Sequence, residues 1–447
     1  MDGTYDFIVV GGGPVGEVAA QYAINGTDLT AVIIESHLLG GSCSYYACMP
    51  SKALLHPLDV VGASANLQGL RPASVDRDQL LARRDQWVSN YDDAEQVEWA
   101  DGEGIELVRG RGRLGDGERT VEVDGRTLTA RQAVIIATGS HPTIPELLQP
   151  LNPWDNRDAT GVVEVPDRLA IVGGGVVAVE AARWMAALGS QVTLLVRSRL
   201  LGRFEPFVGE LVTEGLRADD VEVRLDTEVT DAERADVRDT GLGRLHGGQL
   251  TLRTSKGDQL RVDEVLAATG RKPNLDGVEL DPRPEWLHYV GDAAGEAPLT
   301  HWGKYRARLL GERLQARALG RPAPEFPDDV PVPQVIFSSP QVATVGLTLD
   351  KAQGRWPDTS AVDVDMSAVS GVSLLRDDAA GKARLVVRPD GVLCGASFVG
   401  PGVAELLHSA TVAITAGLTI DQLRHAVPSY PTASEVWLQL VEKCHQL

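Results

Sequence analysis

The apolar positions of the chain fall into short runs, and two stretches repeat the same pattern. These are YDFIVVGGGPVGEVAAQYA at residues 5–23 and RLAIVGGGVVAVEAARWMA at residues 168–186. In each, an apolar strand is followed by a glycine turn and a helix rich in small residues, and a second apolar strand follows at residues 29–36 and 190–198. We interpret them as two βαβ units, which predict two nucleotide sites.

The segments after each unit show shorter alternating patterns that predict antiparallel strands. Both return to a buried strand that ends in Ala-Thr-Gly, at residues 137–139 and 268–270. Residues 322–333 contain five prolines and are predicted to be a linker. Beyond them, residues 334–447 change to alternating strands followed by helices. The expected fold is therefore α/β, with two Rossmann-like dinucleotide-binding domains and a separate C-terminal α+β domain.

Composition narrows the class of protein further. A chain of 447 residues is expected to form two to four domains, and its formal charge of −20 disfavours binding to nucleic acid or to anionic membranes. No apolar run approaches the roughly 20 residues that span a bilayer, and the N-terminus lacks the pattern of a signal peptide. Four cysteines are too few for a secreted disulfide framework. We expect a cytoplasmic protein.

The first repeat contains the dinucleotide-binding fingerprint in its proper context between a strand and a helix. Gly11 makes the turn, Gly13 lets a pyrophosphate approach the backbone, and Gly16 lets helix and strand pack closely. The phosphates of a dinucleotide would lie at the positive end of the helix. Glu35 ends the second strand, where a carboxylate accepts hydrogen bonds from an adenosine ribose.

The second repeat has Gly173, Gly175 and an alanine, Ala178, at the third position. Three arginines follow its second strand, where the first repeat has Glu35: Arg197, Arg199 and Arg203. Guanidinium groups there either solvate a loop or clamp a 2′-phosphate, and the second interpretation predicts a preference for NADPH over NADH.

Two cysteines five positions apart, Cys43 and Cys48, occur in GGSCSYYACMPSK at residues 40–52. In a regular helix their Cα atoms would lie roughly 8–9 Å apart, whereas disulfides need about 4.4–6.8 Å, so a bridge would require an irregular turn. A metal site would need two further ligands, and the sequence has no other CxxC or histidine cluster to supply them. Three alternatives remain, in decreasing order of preference: a redox-active disulfide pair, a thiol pair that no longer undergoes redox cycling, and a metal site.

Eight motifs in this order together resemble the flavoprotein disulfide reductases, also called pyridine nucleotide-disulfide oxidoreductases: VVGGGPVG, GGSCSYYACMPSK, ATGSHPTIP, IVGGGVVAVE, ATGRKPN, VGDAAG, VIFSSPQVATVGLT and YPTASE. The resemblance implies an FAD domain at residues 1–150 and 271–326, an NAD(P)H domain at 151–270 and a dimerisation domain at 327–447. It implies FAD and NADPH as cofactors, a small-molecule substrate, and a homodimer whose active site is shared across the interface.

The resemblance also implies roles for individual residues. Cys48 would be the flavin-side thiolate and Cys43 the interchange thiol of a redox disulfide, while Lys52 and Glu180 would pair beside the flavin. Further cofactor contacts are implied for Ser42, Lys52, Gly112, Gly139, Gly270, Arg271 and Asp292. No metal ligand is implied.

The sequence departs from the family near its C-terminus. Glu435 of the family's His-Glu dyad is present, but Tyr430 stands where the histidine is expected, and tyrosine is a poor base at neutral pH. The resemblance as a whole implies reduction of a disulfide, or the reverse reaction on a dithiol. Because of the tyrosine, two alternatives stay open. One is an enzyme with a non-disulfide acceptor, either a quinone or mercuric ion, and the other is a non-catalytic flavoprotein.

Overall fold

The computed structural model describes residues 3–327 and 329–445. The chain divides into two compact units. The first comprises Met1–Ser51, Ala82–Thr143 and Gly270–Asp328, and the second comprises Lys52–Leu81, Ile144–Thr269 and Asp329–Leu447. In the residues that it describes, no helix is long and apolar enough to cross a membrane.

The strands are β1 (Thr4–Val10), β2 (Ala31–Glu35), β3 (Ile105–Arg109), β4 (Arg113–Leu114), β5 (Thr120–Val123), β6 (Arg126–Ile136), β7 (Ser140–Pro142), β8 (Arg168–Val172), β9 (Gln191–Leu195), β10 (Glu222–Arg224), β11 (Val229–Arg234), β12 (Leu250–Thr254), β13 (Gln259–Val262), β14 (Glu264–Ala267), β15 (Arg271–Pro273), β16 (Leu287–Tyr289), β17 (Gln334–Ile336), β18 (Val342–Gly346), β19 (Ser360–Asp365), β20 (Lys382–Val387) and β21 (Leu393–Val399). The helices are α1 (Pro14–Ile24), α2 (Gly41–Tyr45), α3 (Cys48–Ala65), α4 (Arg77–Trp87), α5 (Ala94–Gly102), α6 (Asn156–Thr160), α7 (Val176–Ala187), α8 (Pro206–Ala218), α9 (Thr300–Ala318), α10 (Leu349–Arg355), α11 (Ser370–Ser373), α12 (Val403–Thr415), α13 (Ile420–Leu423) and α14 (Val436–Cys444).

The first unit is built on one sheet with the order β3-β2-β1-β6-β5-β4, to which β16 adds beside β6. β1 pairs in parallel with both β2 and β6, and its residues from Tyr5 to Val10 are buried. Continuous apolar strands are expected where helices cover both faces of a parallel sheet. Helix α1 turns Ala19, Ala20 and Ala23 into the core, and these small side chains let it pack closely on the sheet and on α9.

The second unit contains a parallel sheet of order β10-β9-β8-β14, which is the second predicted βαβ unit. Helix α7 lies on it with Ala178, Ala181 and Ala182 fully buried. The unit also contains a five-stranded sheet of order β17-β18-β21-β20-β19, whose strand pairs are all antiparallel. Helices α12 and α14 pack on this sheet around Phe398 and Leu440. The predicted fold class, two Rossmann-like domains and a C-terminal α+β domain, is confirmed, while the predicted domain boundaries stay a prediction.

His288 on β16 gives the fold a pH-dependent component that can be measured. Burial and the nearby guanidiniums of Arg317, Arg283 and Arg313 lower the pKa of His288 from 6.5 to about 4. Because the folded-state pKa is depressed, stability should be lost as the pH falls from about 6.5 towards 4. Between pH 7 and 4.5 we expect the wild-type protein to lose about 2 kcal/mol more unfolding free energy than His288→Gln, measured by urea denaturation. The control is the exposed His425: a His425→Gln variant should lose as much unfolding free energy over this pH range as the wild type.

Candidate active site

The glycines of the first repeat form a turn that side chains would block. Gly11 has φ +106°, and a Cβ built there would lie 2.4 Å from the carbonyl oxygen of Ala137. A Cβ at Gly16 would lie 2.0 Å from the carbonyl oxygen of Gly11. At Gly13 the nearest atom to such a Cβ is the Cα of Gly41 at 4.0 Å, so the backbone faces open space. The turn therefore fits the pyrophosphate of a dinucleotide, which needs close approach at this position.

Glu35 is held rigidly at the end of β2. Its Oε2 accepts a hydrogen bond of 2.7 Å from the amide of Gly12, and its Oε1 accepts one of 2.7 Å from the amide of His37. These bonds orient the carboxylate beside the glycine turn, and its contact with a ribose hydroxyl stays a prediction. Gly112 lies near the same strands, since a Cβ there would contact Val10 Cγ1 at 2.9 Å.

Three residues at the carboxyl edge of the first sheet, the edge that also carries the Gly11 turn, are linked by hydrogen bonds. Ser140 Oγ donates to Asp292 Oδ2, and Arg271 donates from Nε to Ser140 Oγ at 2.8 Å and from a terminal nitrogen to Ser140 O at 2.6 Å. Asp292 and Arg271 were predicted as cofactor contacts, whereas Ser140 was missed, although it directly follows the glycine of the first Ala-Thr-Gly. Gly139 and Gly270 have φ +73° and +129°, and added Cβ atoms there would meet nothing within 4 Å.

The second repeat reproduces this turn. Gly173 has φ +136°, and a Cβ there would lie 2.2 Å from the carbonyl oxygen of Ala268. Around Gly175 nothing lies within 4 Å of an added Cβ, so this turn also has room for a pyrophosphate. The guanidinium of Arg197 is 84% exposed, with its Nε 3.9 Å from Glu228 Oε1. Arg199 and Arg203 are exposed too, so all three arginines present positive charge to solvent beyond the end of β9.

The predicted redox cysteines lie on either side of a break between two helices. Helix α2 ends at Tyr45 and α3 begins at Cys48, so the irregular turn that a bridge requires is present. Cys43 is hydrogen-bonded to Cys48, and that bond together with burial raises the pKa of the Cys43 thiol, while the charge of Lys304 opposes the rise. Cys48 Sγ lies 3.4 Å from Thr300 Oγ1 at the start of α9. Sequence reasoning missed Thr300 because it is distant in the chain and belongs to no quoted motif.

The other two cysteines occupy different surroundings. Cys394 is buried in β21 and its thiol donates to the carbonyl of Val386 at 3.4 Å. Burial raises the pKa of Cys394 and of Cys444 to about 11 each.

In the second unit, Lys52 and Glu180 form the predicted ion pair, with Nζ 2.7 Å from Oε2. The Glu180 side chain is 6% exposed, and its Oε1 accepts a hydrogen bond of 3.1 Å from the amide of Phe337. The Lys52 ammonium also lies 4.8 Å from the centre of the Phe337 ring. Both carboxylate oxygens of Glu180 therefore accept hydrogen bonds, which fixes the position of the Lys52 ammonium.

No hydrogen bond joins Tyr430 to Glu435, the two described C-terminal residues that correspond to the expected dyad. Tyr430 is 75% exposed and precedes a cis peptide bond to Pro431. Glu435 lies in a short 3-10 helix (Ala433–Glu435), and its Oε2 is buried without a hydrogen-bond partner among the residues that the structure describes. His425 is exposed on the segment before them.

Glu17 is a further titratable group that sequence reasoning missed, because it follows the last glycine of the fingerprint and belongs to none of the fingerprint positions. It lies in the first turn of α1, where burial raises its pKa to about 7 and one carboxylate oxygen, Oε1, is buried without a partner among the described residues. The raised pKa reduces the negative charge that Glu17 places at this helix end near neutral pH.

Two family models match the chain. One, described as pyridine nucleotide-disulphide oxidoreductase, matches residues 5–285, and its dimerisation domain matches residues 332–441. Among curated relatives, the mercuric reductase of Staphylococcus aureus is 29% identical over 97% of this chain and 81% of its own length. The dihydrolipoyl dehydrogenase of Bacillus subtilis is 30% identical over 96% of both chains. The mercuric reductase of Streptomyces lividans is 32% identical over 96% of this chain and 94% of its own.

These matches confirm the resemblance inferred from the sequence motifs. They span both βαβ units and the C-terminal domain, and the glycine turns of both units have room for a dinucleotide pyrophosphate. The chain belongs to the pyridine nucleotide-disulphide oxidoreductase family and is an FAD-dependent oxidoreductase that uses a pyridine nucleotide.

Proposed function

We propose that the protein is an NADPH-dependent reductase that delivers electrons to a Cys43–Cys48 disulfide and from it to a disulfide substrate, or runs the reverse reaction on a dithiol. The observation that carries this proposal is the contact between the two thiols at the helix break, with Thr300 beside Cys48. Such a short-loop pair at an irregular turn is typical of an easily reduced disulfide.

The proposed cycle transfers two electrons from the reduced nicotinamide to the substrate disulfide. Bound FAD would supply hydride and electron-transfer chemistry between the reduced nicotinamide and the Cys43–Cys48 disulfide. The Cys43 thiolate then attacks one substrate sulfur and displaces the other as a thiol, which leaves a mixed disulfide. Cys48 attacks Cys43 Sγ, so the second substrate thiol leaves and the Cys43–Cys48 bond forms again. Lys304 favours the Cys43 thiolate because its charge opposes the effect of the neighbouring thiol.

For the FAD site, we propose that Gly11, Gly13 and Gly16 hold the pyrophosphate and Glu35 the ribose. Further contacts are proposed for Ser42, Gly112, Gly139, Arg271 and Asp292. Gly173, Gly175 and Gly270 would serve the nucleotide site in the same way, and the role of the Lys52–Glu180 pair at the flavin stays a prediction.

The proposed preference for NADPH rests on the solvent-exposed positive charge of Arg197, Arg199 and Arg203. We expect Arg197→Glu to lower the ratio of kcat/KM for NADPH to that for NADH by about tenfold, because a carboxylate would repel the 2′-phosphate that the guanidinium binds. The matched control is Arg261→Glu, which reverses charge at an exposed position of β13. An unaltered ratio in Arg197→Glu would refute the clamp.

A second candidate function is reduction of a non-disulfide acceptor, a quinone or mercuric ion. It is favoured by Tyr430, because an exposed phenol is a poor shuttle for the proton of a leaving thiol. Two of the relatives described above are mercuric reductases, which supports mercuric ion as one such substrate. Cys444 is single in the C-terminal helix and has a raised pKa, so it argues against a second thiolate site for the metal ion.

We further propose a homodimer in the cytoplasm, in which Tyr430 of one protomer donates a hydrogen bond to the substrate at the Cys43 of its partner. The dimerisation domain supports the dimer. The exposure of Tyr430 in one protomer is consistent with a contact made on assembly.

One acceptor screen tests both candidate functions. NADPH oxidation would be followed with disulfides, quinones and mercuric ion, using the wild type and Tyr430→Phe. Disulfide reduction that falls about fivefold in Tyr430→Phe supports the proposed function and the tyrosine hydrogen bond. Turnover with a quinone or mercuric ion and none with disulfides would select the second candidate.

A further inference from the structure

Two tyrosines lie between the redox cysteines in the chain, and their rings are tilted against each other with centres 6.3 Å apart. Tyr45 is 2% exposed, and its hydroxyl donates to Gln96 Oε1 at 2.9 Å, so it belongs to the core. Tyr46 is half-buried and caps α2, with its amide bonded to the carbonyl of Ser42 at 2.8 Å. Tyr46 follows Cys43 by three residues at the C-cap of the same helix, and residues three apart lie on the same side of a helical turn.

Tyr46 stacks on Tyr91, with ring centres 5.5 Å apart and an interplanar angle of 25°. The Tyr91 ring is half-buried as well. The stacked pair, Tyr46 and Tyr91, therefore forms a partly open aromatic surface on the side of α2 that carries the interchange thiol.

The backbone that holds Tyr91 is strained. Ser89, Asn90 and Tyr91 have φ of +49°, +52° and +61°, three consecutive residues in the left-handed region. This region is unfavourable for a bulky residue, and such conformations persist only where surrounding contacts impose them. The contacts are present: the amide of Tyr91 donates to Val88 O at 2.8 Å, and the amide of Leu39 donates to Asp93 Oδ2 at 2.6 Å. The second bond joins this segment to the residue just before the cysteine segment at residues 40–52.

We propose that the stacked pair is the wall of the acceptor site at Cys43 and selects acceptors that carry a planar aromatic ring next to the reducible atoms. This inference rests on the proposed function and names its substrate class. An aromatic acceptor would extend the stack by one ring, whereas a small aliphatic acceptor gains little there. The strained turn keeps Tyr91 in place before the acceptor arrives, which lowers the entropy cost of binding.

The test compares aromatic with aliphatic reagents of equal charge on Tyr91→Ala. The NADPH-reduced holoenzyme is alkylated with N-phenylmaleimide or N-ethylmaleimide, and modification of Cys43 is followed by peptide mass spectrometry. The ratio of the two rates is expected to fall about fivefold, which corresponds to about 1 kcal/mol. The ratio of kcat/KM for dithiodipyridine to that for hydroxyethyl disulfide should fall by a similar factor.

Two control variants separate the effect of the Tyr91 ring from the effects of its hydroxyl and of a nearby aromatic side chain. Tyr91→Phe keeps the stack and should retain the wild-type ratios. Trp87→Ala removes a 49% exposed ring from the same segment outside the stacked pair, and should retain them too. A Tyr91→Ala ratio equal to that of the wild type, or a fall matched by Trp87→Ala, overturns the proposal. If the wild type reduced neither disulfide, the proposed function would fail, but the alkylation ratio would still decide the role of the stacked pair.

Discussion

Replacing Cys43 with serine is expected to reduce disulfide turnover by on the order of a thousandfold or more, because a hydroxyl cannot replace the thiolate that attacks the substrate sulfur. The flavin should still be bleached by NADPH, since that step does not use this thiol. Stopped-flow absorbance of the flavin and steady-state NADPH oxidation measure the two halves separately.

The control for this variant is Cys394→Ser, which changes a buried thiol that donates a hydrogen bond to a backbone carbonyl in β20 and lies outside the cysteine pair. It should retain disulfide turnover within about twofold. If Cys43→Ser oxidised NADPH with a quinone at the wild-type rate, the thiol pair would be unnecessary for that acceptor, and the second candidate function would apply. Undiminished disulfide reduction in Cys43→Ser would contradict the proposed cycle itself.

Gly11→Val is expected to yield protein with less than about a tenth of the wild-type flavin content. A Cβ at this position would lie 2.4 Å from the Ala137 carbonyl oxygen, and φ +106° is unfavourable for a branched side chain. The turn must shift to accommodate valine, and the backbone amides that we propose bind the pyrophosphate would shift with it. The ratio of flavin absorbance to protein absorbance in the purified protein measures the loss.

Gly102→Ala is the matched control, because an added Cβ there meets nothing within 4 Å. It should retain full flavin content. Circular dichroism distinguishes loss of flavin from loss of fold: a folded Gly11→Val protein without flavin supports the assignment, and full occupancy would refute it.

Both βαβ units were predictable from the sequence, because a strand, a glycine turn and a small-residue helix are local features. The turn at Gly11 and the repeat at Gly173 appear where the pattern placed them. The Lys52–Glu180 pair was also foreseen, but only through the family resemblance, since the two residues are far apart in the chain. Ser140, Thr300 and Glu17 were not predicted, because none carries a local signal of contact with a distant element.

The sequence by itself determined the family, the two dinucleotide sites and the position of the cysteine pair, because these depend on spacing within short segments. Only the tertiary structure decided what surrounds the pair. It brings Thr300 to Cys48 and stacks Tyr91 on Tyr46, and it leaves Glu435 Oε2 without a partner among the described residues of one protomer. These contacts join elements that lie tens to hundreds of residues apart, so they depend on how the sheet and helices pack and not on any local pattern.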